Sequence, residues 1–207
     1  MASRSTLTRL DRTTVAMLML LAGGCSRSLT IQVDNTVPAA LIESLPLTVA
    51  VYYHDSLRTH SYRENNEERS NWTIATGSSQ IAMFERVWTS TFNTVISLTQ
   101  LPDADSPVSA DLIVVPKIKE MQLGTPSETF FDFYEAWISY EITLLTAAGT
   151  PIEIWDIVTY GKADKKNFSS RSSGLNDAIS LALRDAGAKI STGIHKQAVI
   201  RSLLHKQ

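Results

Sequence analysis

Glu135-Ala136-Trp137-Ile138-Ser139-Tyr140-Glu141-Ile142-Thr143-Leu144-Leu145 and Ile152-Glu153-Ile154-Trp155-Asp156-Ile157-Val158-Thr159-Tyr160-Gly161-Lys162-Ala163 stand on either side of Thr146-Ala147-Ala148-Gly149-Thr150. Both runs are rich in β-branched and aromatic residues, and the short glycine-containing segment between them marks a hairpin. Gly149, third in the three-residue loop 147–149, supplies the left-handed conformation of a bulged turn. That turn predicts Tyr140 opposite Asp156, Ile142 opposite Ile154 and Leu144 opposite Ile152. One apolar face then gathers these residues with Ala136, Ile138, Val158 and Tyr160. The other face pairs Glu141 with Trp155 and Ser139 with Ile157, and carries Trp137 with Phe131 and Phe133 on the same side. Asp156 falls on the apolar face, where a carboxylate needs a partner, and the Tyr140 hydroxyl is the expected one.

The flanking sequence supplies the layers that such a hairpin packs against. Leu47–Tyr53 (LTVAVYY) reads as a buried strand, and the polar Ser56–Asn71 segment after it as a solvated loop. From Ser78 or Ser79 to about Leu98, Ile81, Phe84, Trp88, Phe92 and Val95 recur at helical spacing. Asp111–Val115 begins another strand, continued by Ile118 and Met121, which Pro116 places at an edge or a bulge. Gly174–Gly193 is a packing helix with Leu175, Ile179, Ala182, Ala186 and Ile190 on one stripe, and His195–His205 is a short terminal helix. The order strand, helix, strand, hairpin, helix predicts an α+β fold: a small antiparallel or mixed sheet with helices packed on one face.

Composition bounds the function. The chain has 207 residues, 43% hydrophobic and 19% charged, which suits one globular domain and excludes a disordered chain. With 19 Lys+Arg against 21 Asp+Glu there is no basic footprint, so nucleic acid is not an expected partner. There is no glycine-rich phosphate loop, no metal-ligand spacing among His54, His60, His195 and His205, and no second acid or base near Asp156 in sequence. The expectation is a protein without cofactor or metal that is not an enzyme.

The first 25 residues are separate from the fold. Arg4, Arg9 and Arg12 make the amino end positive, and Val15–Ala22 is an apolar run far too short to cross a bilayer, so residues 1–24 read as a signal peptide. The run ends in Leu21-Ala22-Gly23-Gly24-Cys25, which resembles a bacterial lipoprotein box. The resemblance implies cleavage after Gly24 and acylation of Cys25, and membrane contact through that covalent lipid. A signal peptide with a chance cysteine is the competing reading. Cys25 is the chain's only cysteine, so no intramolecular disulfide is open to it. Several acyl chains on one residue make membrane residence effectively permanent. Ser26 and Arg27 follow, not the Asp that retains similar lipoproteins at the inner membrane, which implies the periplasmic face of the outer membrane. Residues 25–46 read as a lipidated tether, to which alternating Leu29, Ile31 and Val33 could add a strand, and 47–207 as a single periplasmic domain.

The runs LPLTVAVYY, FDFYEAWISYEITL and YGKA are similar to those of uncharacterised proteobacterial outer-membrane lipoproteins. The layout, with Trp72 ahead of the first helix, is also similar to that of auxiliary lipoproteins of lipid-transporting ABC systems. A third group, activator lipoproteins that dock on cell-wall synthases, likewise has a small strand-and-helix domain behind a lipid tether. These likenesses imply an envelope lipoprotein and leave its task open. The Phe130–Tyr140 end is rich in aromatics and is either a contact for an envelope protein partner, through Phe131, Phe133, Trp137 and Trp155, or a surface covered by the tether or the polar loop. A scaffold or accessory subunit is the first reading, and a component of an ABC-type phospholipid transport system the alternative.

Overall fold

The computed structural model describes residues 27–30, 43–64 and 72–205. The signal segment, Gly24, Cys25, most of the expected tether and residues 65–71 of the polar loop lie outside them. In chain order the elements are β1 (Arg27–Thr30), β2 (Leu45–Tyr52), α1 (Asp55–Arg58), β3 (Ser61–Glu64), β4 (Trp72–Ala75), α2 (Gly77–Thr91), β5 (Phe92–Leu98), β6 (Leu112–Gly124), α3 (Pro126–Thr129), β7 (Phe133–Leu145), β8 (Pro151–Asp164), α4 (Arg171–Gly193) and α5 (Ala198–Leu204). A five-stranded sheet has the order β5-β2-β6-β7-β8, and a three-stranded one the order β1-β4-β3. The large sheet is parallel across β5-β2-β6 and antiparallel across β6-β7-β8. The fold is therefore α+β with a mixed sheet, and α2 and α4 pack on one of its faces.

The central hairpin forms around the expected turn, with Gly149 at φ 80. Its register, however, is displaced from the expected one. Leu144 pairs with Glu153 and Leu145 with Pro151, so Ile152 is an extra residue on β8. A bulge of one residue reverses every side chain beyond it. Tyr140 faces Ile157, Ile142 faces Trp155, and Asp156 faces Glu141. Thus Ile157, Thr159 and Ala163 turn into the core, while Ile152, Ile154, Val158 and Tyr160 turn outward. The alternation of β8 could not settle this, because it places apolar side chains on both faces. Gly161 settles it: a Cβ there would lie 1.9 Å from the Ala178 carbonyl oxygen and 2.4 Å from the Ala182 nitrogen, so α4 crosses β8 against bare backbone.

The core lies between the sheet and its helices. Trp88 and Phe84 of α2 stack at 5.9 Å, and Tyr140 meets Phe84 edge-on at 5.2 Å. Leu175, Ile179, Leu183 and Ile190 of α4 complete it, with Ala182 and Ala186 at the closest approach. The helix expected to reach Leu98 stops at Thr91. Phe92–Leu98, with Thr94, Val95 and Ile96 in succession, is strand β5, parallel to β2. A parallel pair needs a crossover, and α2 supplies it. Phe92 is buried as a strand residue just as it would be on the helix, so the helical stripe runs through it. The polar stretch after Tyr53 is also more ordered than a plain loop, since it holds α1 and β3. Pro116 pairs with Ile142 at a level that β2, ending its pairing at Val114, does not reach, which satisfies the expected edge position.

At the outer edge of β8, helix α4 covers backbone groups that would otherwise invite another strand. The Asp185 carboxylate accepts from the Tyr160 N–H at 3.0 Å, and Lys189 Nζ donates to the Val158 carbonyl at 2.8 Å. The two side chains also pair with each other at 2.7 Å. Such capping blunts edge-to-edge association. Asp185→Ala is expected to cost about 1 kcal/mol in urea unfolding and to raise self-association measured by light scattering; an unchanged scattering profile would contradict the edge-protection role.

A second polar cluster fastens the small sheet to α2. The His60 carbonyl accepts from the Thr76 and Gly77 N–H groups, and His60 Nδ1 lies 2.7 Å from Thr76 Oγ1. Burial lowers the His60 pKa below 6.5. Because the unfolded chain takes up a proton that the folded state resists, stability falls as the pH drops below the unfolded value. Urea midpoints of the native chain and His60→Asn should therefore converge towards low pH; parallel pH curves would contradict this.

Candidate functional site

Antiparallel sheets commonly keep one face on the core and one polar face in water, whereas parallel sheets are covered on both. The large sheet divides along this line. Behind its parallel half, Ile96, Leu98, Val108 and Ala110 cover Ala50, Ile113 and Leu145. The antiparallel half has no such cover among the described residues, yet its outer face is not polar. Ile154 is 62% exposed, Val158 61%, Ile152 48%, Tyr160 38% and Trp137 36%. The bulge at Ile152 turned the apolar residues of β8 to this side.

The face is ordered by side-chain contacts from end to end. Phe131 and Phe133 stack in nearly parallel planes at 5.2 Å, and Lys162 Nζ sits 3.5 Å from the Phe133 ring centroid. Next, the Tyr160 hydroxyl donates to Glu135 Oε1 at 2.6 Å, and the Tyr160 ring lies 5.2 Å from Trp137. Desolvation, then the bond and the negative charge of Glu135, push the Tyr160 pKa up to about 12. Glu120, Gln122, Trp137, Ser139 and Val158 line a shallow recess beside this pair. Farther along, Lys119 Nζ lies 3.0 Å from Asp156 and 3.9 Å from Glu141. A larger recess opens at the far end, between the hairpin turn and α5, lined by Asp111, Thr146, Ile152, Val199 and Leu203. Its Glu153 carboxylate accepts from the Ala198 and Val199 N–H groups.

Phe131, Phe133 and Trp137 thus come together on one face, as the sequence predicts. Trp155 does not. The displaced register turns it to the helix side, where its ring lies against Gly193. The residues that sequence reasoning missed are Ile152, Ile154, Val158 and Tyr160, placed by that reasoning in the core. Their signal was Gly161, whose bare backbone marks the helix-covered side of β8. Asp156 likewise stands in solvent with Lys119 and not beside Tyr140, whose buried hydroxyl has no hydrogen-bond partner among the described residues. Burial alone raises the Tyr140 pKa far above its ordinary value.

This gives paired expectations. Tyr140→Phe removes an unsatisfied buried hydroxyl and should leave stability equal or slightly higher. Asp156→Asn removes an exposed ion pair and should shift it by no more than about 1 kcal/mol. A loss of several kcal/mol for either, measured by urea unfolding, would restore the Tyr140–Asp156 contact.

Chemically, the face offers aromatic and aliphatic area framed by charges that already have partners. Among the described residues no group of three His, Cys, Asp or Glu side chains could hold a metal ion. Nor is any helix among them long and apolar enough to cross a membrane.

No family model matches the chain. No curated protein matches it either. Among solved structures it is similar to a Xanthomonas campestris protein of family DUF330, at 10% identity and a TM-score of 0.45, covering 80% of this chain and 91% of that one. It is also similar to a minor lipoprotein from Acinetobacter baumannii, at 8% identity and a TM-score of 0.43, covering 74% of this chain and 94% of the other. Likeness at this level assigns neither a family nor a ligand to the chain.

Proposed function

We propose that this chain is a non-enzymatic bacterial envelope lipoprotein, held by acylated Cys25 at the periplasmic face of the outer membrane, whose domain docks on a protein partner. The observation that carries the docking reading is the apolar outer face of the antiparallel half-sheet. Soluble domains seldom leave so many large apolar side chains contiguous unless another surface covers them. Aromatic residues at the centre with charged residues around them are the composition of a protein interface core and its rim. Trp137, Tyr160 and Val158 form the centre, Ile154 extends it, and the Lys119–Asp156 and Lys162–Phe133 pairs stand at its margin. The anchor rests on the Leu21–Cys25 sequence. A partner from an ABC-type phospholipid transport system is compatible with this role. Both recesses described above open to solvent, which favours docking over enclosure of a phospholipid by the domain itself.

Photo-crosslinking in intact cells tests the docking surface. A crosslinkable phenylalanine analogue at Trp137 or Val158 is expected to give the same discrete adduct, while one at Ala188, exposed on α4, gives none. Identical adduct patterns at all three positions, or no adduct at either face position, would overturn the proposal.

A further inference from the structure

We infer that the Phe130–Phe131 tip is a second membrane contact, inserting into the surface of the phospholipid bilayer in which Cys25 is anchored; this rests on the anchoring proposed above. Phe130 is 93% exposed and has a left-handed backbone, φ 60 and ψ 13. A bulky side chain in that conformation is strained, and burial of the ring does not offset it here. Phe131, beside it, is also exposed. The tip is nonetheless held firmly from both sides. Arg171 donates to Thr125, Ser127 and Glu128 of the α3 turn at 2.9, 2.9 and 3.2 Å, and the Lys165 N–H donates to the Asp132 carbonyl at 2.9 Å. The loop thus presents two phenyl rings on a convex point.

Three features favour lipid over a protein pocket as the occupant. First, the surroundings combine aromatic rings with outward lysines, a combination suited to an anionic bilayer surface. Lys162 and Lys165 are exposed, and Lys166 is paired with Asp164 at 2.9 Å. Of the acids, Glu135 is buried against Tyr160 and Glu128 is paired with Arg171, leaving Asp132 as the exposed acid of the tip. Second, covalent geometry keeps the anchor close. Arg27 begins β1, which is hydrogen-bonded to β4, and only two Cα steps of about 3.8 Å separate it from Cys25. The bilayer surface is therefore next to the small sheet. Third, the topology brings the tip to that side. β2 and β6 run parallel, so the end of β2 that leads into α1, β3 and β4 points the same way as the stretch of β6 running on from Val114 to Gly124 and the tip.

Depth measurement on the full, processed chain tests this. Intact mass first establishes acylation of Cys25, which also removes the chain's native thiol. Phe131→Cys, or Phe130→Cys as a second exposed position, then carries a spin label, with Ile154→Cys as the comparison. In vesicles of phosphatidylethanolamine and phosphatidylglycerol, the tip label should be accessible to oxygen and shielded from aqueous nickel chelate by several-fold relative to the label at Ile154. Equal nickel access on acylated protein overturns the tip contact and leaves the anchor standing. Absence of acyl mass overturns both. A tip label that is aqueous in pure lipid but shielded in native envelope membranes assigns the tip to a protein partner, and overturns the lipid contact.

Discussion

Gly161→Ala destabilises the domain by about 2–3 kcal/mol, and Gly161→Val by more, to the point where little folded protein remains. The sign is the informative part. Glycine within a strand ordinarily weakens it, so alanine at a neutral strand position should be stabilising by several tenths of a kcal/mol. Here the new methyl group meets the Ala178 carbonyl and the Ala182 amide, and the next contact is Leu181 Cβ at 3.0 Å. The first two of these atoms belong to the α4 backbone, which cannot yield as a flexible side chain would. The helix must lift off β8, and with it go the Asp185 and Lys189 contacts that cap the strand edge. Urea unfolding of the two variants, with the slope compared as well as the midpoint, checks this. A Gly161→Ala midpoint at or above that of the native chain would show that the helix does not cross there.

Trp88→Ala costs about 3–5 kcal/mol, as expected for loss of the largest buried ring. Trp88 is fully buried, stacks on Phe84 and lies 6.2 Å from Phe92. These three rings join α2 to the start of β5 and, through Tyr140, to the middle of β7, so their loss loosens helix and sheet together. Trp88→Phe keeps an aromatic ring against Phe84 and Phe92 and should cost clearly less than the alanine variant. Equal losses for the two would mean that the indole N–H, and not the packing, carries the stability.

Much of this architecture was legible before the structure, and the failures have physical causes. The hairpin, the packing helix α4 and the α+β layering follow from composition and periodicity, because those patterns are set by burial on one side. Phe92–Leu98 departs from the expected helix because its β-branched residues favour a strand, although Phe92 and Val95 continue the helical spacing. The hairpin faces were inverted because β8 is apolar on both sides, which removes the alternation that normally fixes register. The same ambiguity is what makes β8 interesting: its second apolar face is available to something outside the fold. Trp155 lies on the helix side and Tyr160 on the outer face for this one reason. Nothing in the local sequence marks Ile152 as the bulged residue; Gly161, read as a site of close backbone approach, was the available clue.

The proposed anchor requires that the mature chain start at one particular residue. Intact mass and amino-terminal fragmentation of the native chain, purified from membranes in detergent, test this most directly. The expected product begins at Cys25 and carries the added mass of acyl chains. A chain that begins elsewhere, or that begins there with no added mass, contradicts the account.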